Sequence, residues 1–234
     1  MSDREALGAF LDKWRARWPE WRVAEVFVPA PRRAATLAWL ALRQELADAA
    51  WEGADPRPGA AKLAWWSDEL RGWAHGRRRH PLGLALQRVP APWEALAGAL
   101  PALAAARDAL PAAGGDVAAL HAALAPFVAA AGAVSAAIAA GEDALPAGSG
   151  DGLAALAASL SAMRALAGAG DSAAAGTLSR TWPPRPAGTR ADRVFTALAR
   201  ERLRALDASA GNRALPAWHT LWIAWRAGRS FPPA

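Results

Sequence analysis

Leu63, Trp66, Leu70 and Trp73 stand at i, i+3, i+7 and i+10, the spacing that gathers side chains onto one face of an α-helix. The same period returns along most of the chain. It is carried by Leu7, Phe10, Leu11, Trp14 and Trp18, by the run from Val117 through Leu120, Leu124, Phe127, Ala131 and Val134 to Ile138, and by Leu153, Leu156, Leu160, Met163 and Leu166. Trp218, Leu221, Trp222 and Trp225 repeat it near the C-terminus. No stretch alternates apolar and polar residues over the length of a strand, and no repeat period emerges. The pattern predicts an all-α fold of eight or nine helices, forming one domain over 1–234.

Prolines and glycines set the expected boundaries. A helix over 3–18 ends at Pro19, and Pro31 is placed to start the next, which runs to about Ala50. Asp55 to Gly59 reads as a turn, and a third helix follows over 60–75. Gly76 and Arg77-Arg78-Arg79 resemble a helix end with cations at its negative pole. From Val117 to Gly141 there is no charged side chain. That run is long enough to span a bilayer, but His121, Pro126 and its many alanines favour a buried central helix. Gly168 to Thr177 reads as loose, Thr181 to Pro186 as an extended connector, and helices follow over 189–208 and 213–226.

Composition excludes several function classes. The chain has no Cys, so disulfides, thiolate metal sites and Cys nucleophiles are absent. The four His have no metal-ligand spacing, which argues against zinc. His121, on an apolar helix, is expected to be a satisfied core histidine. Charges throughout the first residues leave no apolar core for a secretory signal, which fits a cytoplasmic chain. The net charge of +6 is uneven, and residues 181–234 hold nine basic and three acidic side chains. Such a stretch suits anionic lipid or an acidic partner, or is a solvated arginine face, the simpler expectation. Lys13-Trp14-Arg15-Ala16-Arg17-Trp18 interleaves cations and aromatics as single-strand binders do, but an amphipathic helix shows the same pattern. Nucleic acid is not the expected partner. The thirteen Trp are expected to serve packing more than ligand stacking. Asp68 and Glu69 are expected to face solvent.

Residues 26–86 combine Phe27-Val28-Pro29, Arg32-Arg33, the Leu42-Arg43 helix, Leu63-Ala64-Trp65-Trp66-Ser67-Asp68-Glu69-Leu70, Gly76 and His80-Pro81-Leu82. In that combination the segment resembles the squalene/phytoene synthase family, the all-helical head-to-head prenyl synthases. The resemblance implies the isoprenoid synthase type of helical bundle. It also implies two carboxylate motifs on facing helices, holding Mg²⁺ that neutralises a leaving diphosphate. Anion contacts to that diphosphate would come from Arg33, Arg43 and Arg78.

The first motif should follow Arg43, where Glu45, Asp48 and Glu52 lie on one helical face while Leu46, Ala47 and Ala50 occupy expected acidic positions. For the second motif, residues 150–180 offer only Asp151 and Asp171, and Glu142-Asp143 have no partner four residues on. Arg43, Glu45 and Asp48 are the candidate remnants of a catalytic site, or a buried salt-bridged network in which the two carboxylates serve Arg43. No metal ligand set is assigned; Mg²⁺ would be the cofactor if activity survives. The expected function is a pseudoenzyme of a divergent branch, binding an isoprenoid, a lipid or a protein partner. One alternative is an active prenyl transferase using Glu45 and Asp48. Another is an assembly factor of the respiratory-complex type, peripheral to the inner face of a membrane and using the Arg/Trp-rich C-terminal helices.

Overall fold

Ser2 begins the first helix with a capping box: its hydroxyl accepts from the Glu5 amide and the Glu5 carboxylate accepts from the Ser2 amide at 2.7 Å. This helix is α1 (Asp3–Arg17). A single turn, α2 (Trp21–Ala24), and a 3₁₀ turn (Glu25–Phe27) lead through Pro29 into α3 (Ala30–Trp51). There follow α4 (Arg57–Ala74), α5 (Gly83–Leu86), α6 (Trp93–Ala105) and α7 (Val117–Ile138). The remaining helices are α8 (Gly150–Ala165), α9 (Ser172–Arg180), α10 (Arg190–Asp207) and α11 (Ala217–Gly228). The computed structural model describes residues 2–107, 117–140, 150–167, 170–184, 187–208 and 211–229. Among them the fold is all-α, with no strand.

Eleven helices thus stand among the described residues where eight or nine were expected. The four-residue α2 and α5 are too short to display an apolar period. α9 occupies the stretch that reads as loose. Its start is fixed by Asp171, whose carboxylate accepts from the Ala174 amide at 3.0 Å. Leu178 is the one large apolar side chain in its nine residues, so there is little stripe to read.

The central element is α3, buried almost all round from Thr36 to Trp51 and packed against α1, α4, α6, α7 and α8. The charge-free helix α7 was expected in that central place. It passes the length and composition test for a membrane span. However, it buries a single face, carried by Leu120, Leu124, Phe127, Val128, Ala131 and Val134. Arg32, on the first turn of α3, donates to the carbonyls of Ala139 and Ala140 and so closes the C-terminal end of α7.

α4 reaches α3 through Gly59: a Cβ there would lie 2.1 Å from the Ala49 carbonyl oxygen. α4 ends as the sequence predicts. Gly76 takes a left-handed φ of 74°, Gly76 N donates to Trp73 O at 3.1 Å and Arg77 N to Gly72 O at 2.8 Å, which is a Schellman closure.

Glu69 departs from the expectation of solvent exposure and is buried. Its Oε1 accepts from Trp73 Nε1 at 2.8 Å, Arg79 N at 2.7 Å and His80 N at 2.8 Å, and its Oε2 from Arg79 Nε at 3.0 Å. The basic loop folds back to the helix through this carboxylate, which a buried anion with four donors makes favourable. The His80 ring packs edge-on to Phe10 at 4.9 Å and against Trp66 at 4.7 Å, so His80 has the local structural role expected of it.

Nine of the thirteen Trp are buried and do serve packing. The solvated arginine face expected over 181–234 holds for Arg204, Arg213, Arg226 and Arg229, which are exposed, and fails at two arginines of α10. Arg193 and Arg202 are buried, and each satisfies carbonyls of other segments. Arg193 donates to Ala227 O at 3.0 Å and Gly188 O at 2.9 Å; Arg202 donates to Arg17 O at 2.8 Å. Two of the arginines of this basic helix hold the bundle together.

Candidate functional site

The structure separates Arg43 from the carboxylates beside it in sequence. Two residues along a helix turn about 200°, so Arg43 and Glu45 leave α3 on opposite sides. Arg43 is fully buried, and its Nη1 donates to Asp192 Oδ1 of α10 at 2.7 Å. Its guanidinium also lies 5.2 Å from the centre of the Phe195 ring and 5.9 Å from that of Trp39. Burial lowers the Arg43 pKa, and the charge of Asp192 works against that shift. Asp192 is further held by the Thr189 hydroxyl at 2.7 Å and the Ser135 hydroxyl at 3.4 Å, and Ser135 accepts from Trp39 Nε1 at 2.8 Å. A buried network around Arg43 therefore exists, but its anion is Asp192, not Glu45 or Asp48. One sequence signal could have found it: Thr189 and Asp192 have the spacing of a capping pair, and the Asp192 amide donates to Thr189 Oγ1 at 3.2 Å.

Glu45, Asp48 and Glu52 do share a face of α3, as their spacing requires. That face is covered by cations. Lys62 of α4 lies 2.6 Å from Glu45, and Lys13 of α1 lies 4.0 Å from it. Arg17, at the end of α1, points its Nη1 between the other two, 3.0 Å from Asp48 Oδ2 and 3.4 Å from Glu52 Oε1. Gln44 Nε2 donates to the second Asp48 oxygen at 2.7 Å. Burial is the main influence on Asp48; it outweighs Arg17 and Gln44 and pushes the carboxyl pKa up to about 6. The Lys13–Trp18 motif is thereby explained. Trp14 and Trp18 enter the core, Lys13 and Arg17 meet the acidic face of α3, and Arg15 pairs with Asp12 and Glu25.

Beside this face opens a cavity of about 500 Å³ between α3, α8 and α9. Its apolar wall includes Ala47, Trp51, Leu120, Met163 and Leu178, and its polar groups are Asp48, Glu52, Ser161, Arg164 and Asp171. Arg164 Nη1 donates to Trp51 O at 3.0 Å. Arg107 Nη1 donates to Ala50 O at 3.2 Å, so two guanidinium groups close the C-terminal end of α3. Asp171, one of the two later-helix carboxylates the sequence offers, does line the same cavity as Asp48, but it is engaged as the α9 cap. Asp151, at the start of α8, is exposed. Glu142 and Asp143 lie outside the described residues.

The anion set implied by the resemblance is not brought together. Arg43 is enclosed with Asp192, Arg33 donates to Val28 O at 3.2 Å, and Arg78 pairs with Asp3 at 2.7 Å. Arg78 instead belongs to a surface pocket shared with Asp68, Arg71, Arg77 and Arg79. His121 departs from the satisfied core histidine that was expected. It is half-buried, and its Nε2 is enclosed without a hydrogen-bond partner among the described residues. The apolar helix that carries it offers few polar groups, and burial pushes its pKa down.

The residues present do not fit the implied Mg²⁺. Such an ion needs several free oxygen ligands in near-octahedral geometry. Here Asp48 already accepts from Arg17 and Gln44, Glu52 pairs with the same arginine, and Asp171 caps a helix. Among the described residues no group of three His, Cys, Asp or Glu could hold a metal ion. No family model matches the chain, and no curated protein and no solved structure matches it.

Proposed function

We propose that this chain is a squalene/phytoene synthase-like helical protein that has given up metal-dependent ionisation and holds an isoprenoid or lipid chain. Resemblance over Val26 to Leu86 supports the family. The observation that carries the function is Arg17, whose guanidinium sits between Asp48 and Glu52 at 3.0 and 3.4 Å. A fixed internal cation stands where a diphosphate-binding metal would have to be coordinated. The cavity beside it has the volume of a small-ligand site.

Charge narrows the ligand. A diphosphate in that cavity would meet Asp48, Glu52 and Asp171, with Arg164 as the cation of the lining. Without a metal, repulsion among these anions disfavours it. An isoprenoid with a neutral head group carries no such penalty and can lay its chain along Trp51, Leu120, Met163 and Leu178.

The test is calorimetric titration with farnesol and with farnesyl diphosphate, alongside product analysis of farnesyl and geranylgeranyl diphosphate with Mg²⁺. The expected result is farnesol binding tighter than the diphosphate, lost in Ala174→Trp, which fills the cavity, and no coupled hydrocarbon. Efficient coupling that Asp48→Ala abolishes would establish an active transferase instead. Failure of farnesol to bind the wild-type chain would sink the cavity reading.

A further inference from the structure

α11 is apolar on two opposite faces. Thr220, Ile223 and Ala224 are buried, where the helix packs on α10 and α2. On the other side Trp218 is 73% exposed, Trp222 49%, Trp225 47% and Leu221 46%. These four occupy i, i+3, i+4 and i+7, a stripe along the outer surface of the helix. Three of the four exposed Trp in the chain are thus gathered on one element.

We propose that this stripe is an interfacial docking surface for an anionic lipid bilayer. The electrostatics are one-sided. From Ala208 to Arg229 there is no Asp or Glu, while Arg213, Arg226 and Arg229 are present. The Arg226 guanidinium lies 4.6 Å from the Trp222 ring centre and that of Arg229 lies 4.7 Å from Trp225. With the rings at head-group depth, cations stacked on them stand at the level of lipid phosphates. The groove beside Trp222 adds Arg200 and Arg204, with Glu201 as its carboxylate. Glu201 is taken by Arg204 at 2.6 Å.

Shape favours a flat surface over a folded partner. The stripe is the outer surface of one helix and offers roughly 500 Å² of apolar side chain if each ring counts about 250 Å² when fully exposed. A stable protein interface needs about 800 Å² from each side. A helix with one face anchored in the domain and aromatics and arginines on the other matches an in-plane interfacial helix. This inference is independent of the cavity between α3, α8 and α9.

The experiment is co-sedimentation with vesicles of phosphatidylcholine alone and of phosphatidylcholine mixed with phosphatidylglycerol, at low and high salt. The wild-type chain is expected to bind the mixed vesicles and to be released by salt. Trp222→Ala/Trp225→Ala is expected to lose binding while keeping its helical circular dichroism, because both rings are outside the core. Arg226→Gln should weaken partitioning about fivefold. Absence of binding to the mixed vesicles would overturn the proposal, and so would equal binding to neutral ones. Self-association in analytical ultracentrifugation that Trp222→Ala/Trp225→Ala abolishes would also overturn it, by assigning the stripe to a second copy of the chain.

Discussion

Arg17 Nη1 lies 3.0 Å from Asp48 Oδ2 and extends a second contact, 3.4 Å, to Glu52. Its Nη2 is enclosed without a hydrogen-bond partner among the described residues. The end of α1 is thus joined to the acidic face of α3 through one half of a guanidinium.

Replacing Arg17 by Gln should leave Asp48 buried against Glu52 and Glu45 with its main counter-charge gone. Loss of charge-assisted hydrogen bonds of this kind costs about 2 kcal/mol, read as a lower urea midpoint at neutral pH. Arg17 now lowers the Asp48 pKa against the effect of burial. The variant should therefore titrate Asp48 above its present value of about 6, measurable by carboxyl carbon NMR. An unmoved Asp48 titration would show that the pair contributes little.

The Arg43–Asp192 pair calls for a double-mutant cycle. Arg43 is wholly enclosed and the Asp192 side chain nearly so. Arg43→Met alone leaves a buried carboxylate with the hydroxyls of Thr189 and Ser135 as donors, and Asp192→Leu alone leaves a buried guanidinium. Each single change should cost about 3–5 kcal/mol. The double variant should recover much of that loss, because two apolar side chains remove both unpaired charges together. Additive losses in denaturant titrations would mean that the two residues act independently.

These two pairs also mark how far the sequence could be read. Leu63, Trp66, Leu70 and Trp73 announced α4 because their period is local, and Gly76 announced its end for the same reason. The placement of Glu45, Asp48 and Glu52 on one face was legible as well. Which cation meets which anion was not. Asp192 is separated from Arg43 by 149 residues, and nothing local distinguishes an arginine that will be buried, such as Arg193 or Arg202, from one that stays in water. Glu69 is hidden from the sequence for the same reason: a helix position beside exposed Asp68 is the acceptor for a loop ten residues on. The outer stripe of α11 has the same period as a core helix, and only the packing of Ile223 and Ala224 shows which side faces in.

Asp48 and Glu69 should leave opposite marks on stability against pH. Burial raises Asp48 to about 6, above its value in the unfolded chain. Between about pH 4 and 6 the folded state therefore binds more protons at this site, so the Asp48 contribution falls as pH rises through that window. Glu69 is lowered: burial would raise it, but the amides of Arg79 and His80, with Trp73 and the Arg79 side chain, outweigh that. Its contribution is present above the unfolded carboxylate pKa and is lost as pH falls through the lower folded value. Asp48→Asn should accordingly flatten the decline in stability between pH 4 and 6, by on the order of 2 kcal/mol over the window. Glu69→Gln should lower stability at neutral pH by about 2 kcal/mol, as expected when charge-assisted hydrogen bonds are weakened, and should reduce the further loss in acid. Urea unfolding of both variants and the wild type at matched pH values gives these slopes. A wild-type slope unchanged by Asp48→Asn would place the titration in this window on another group.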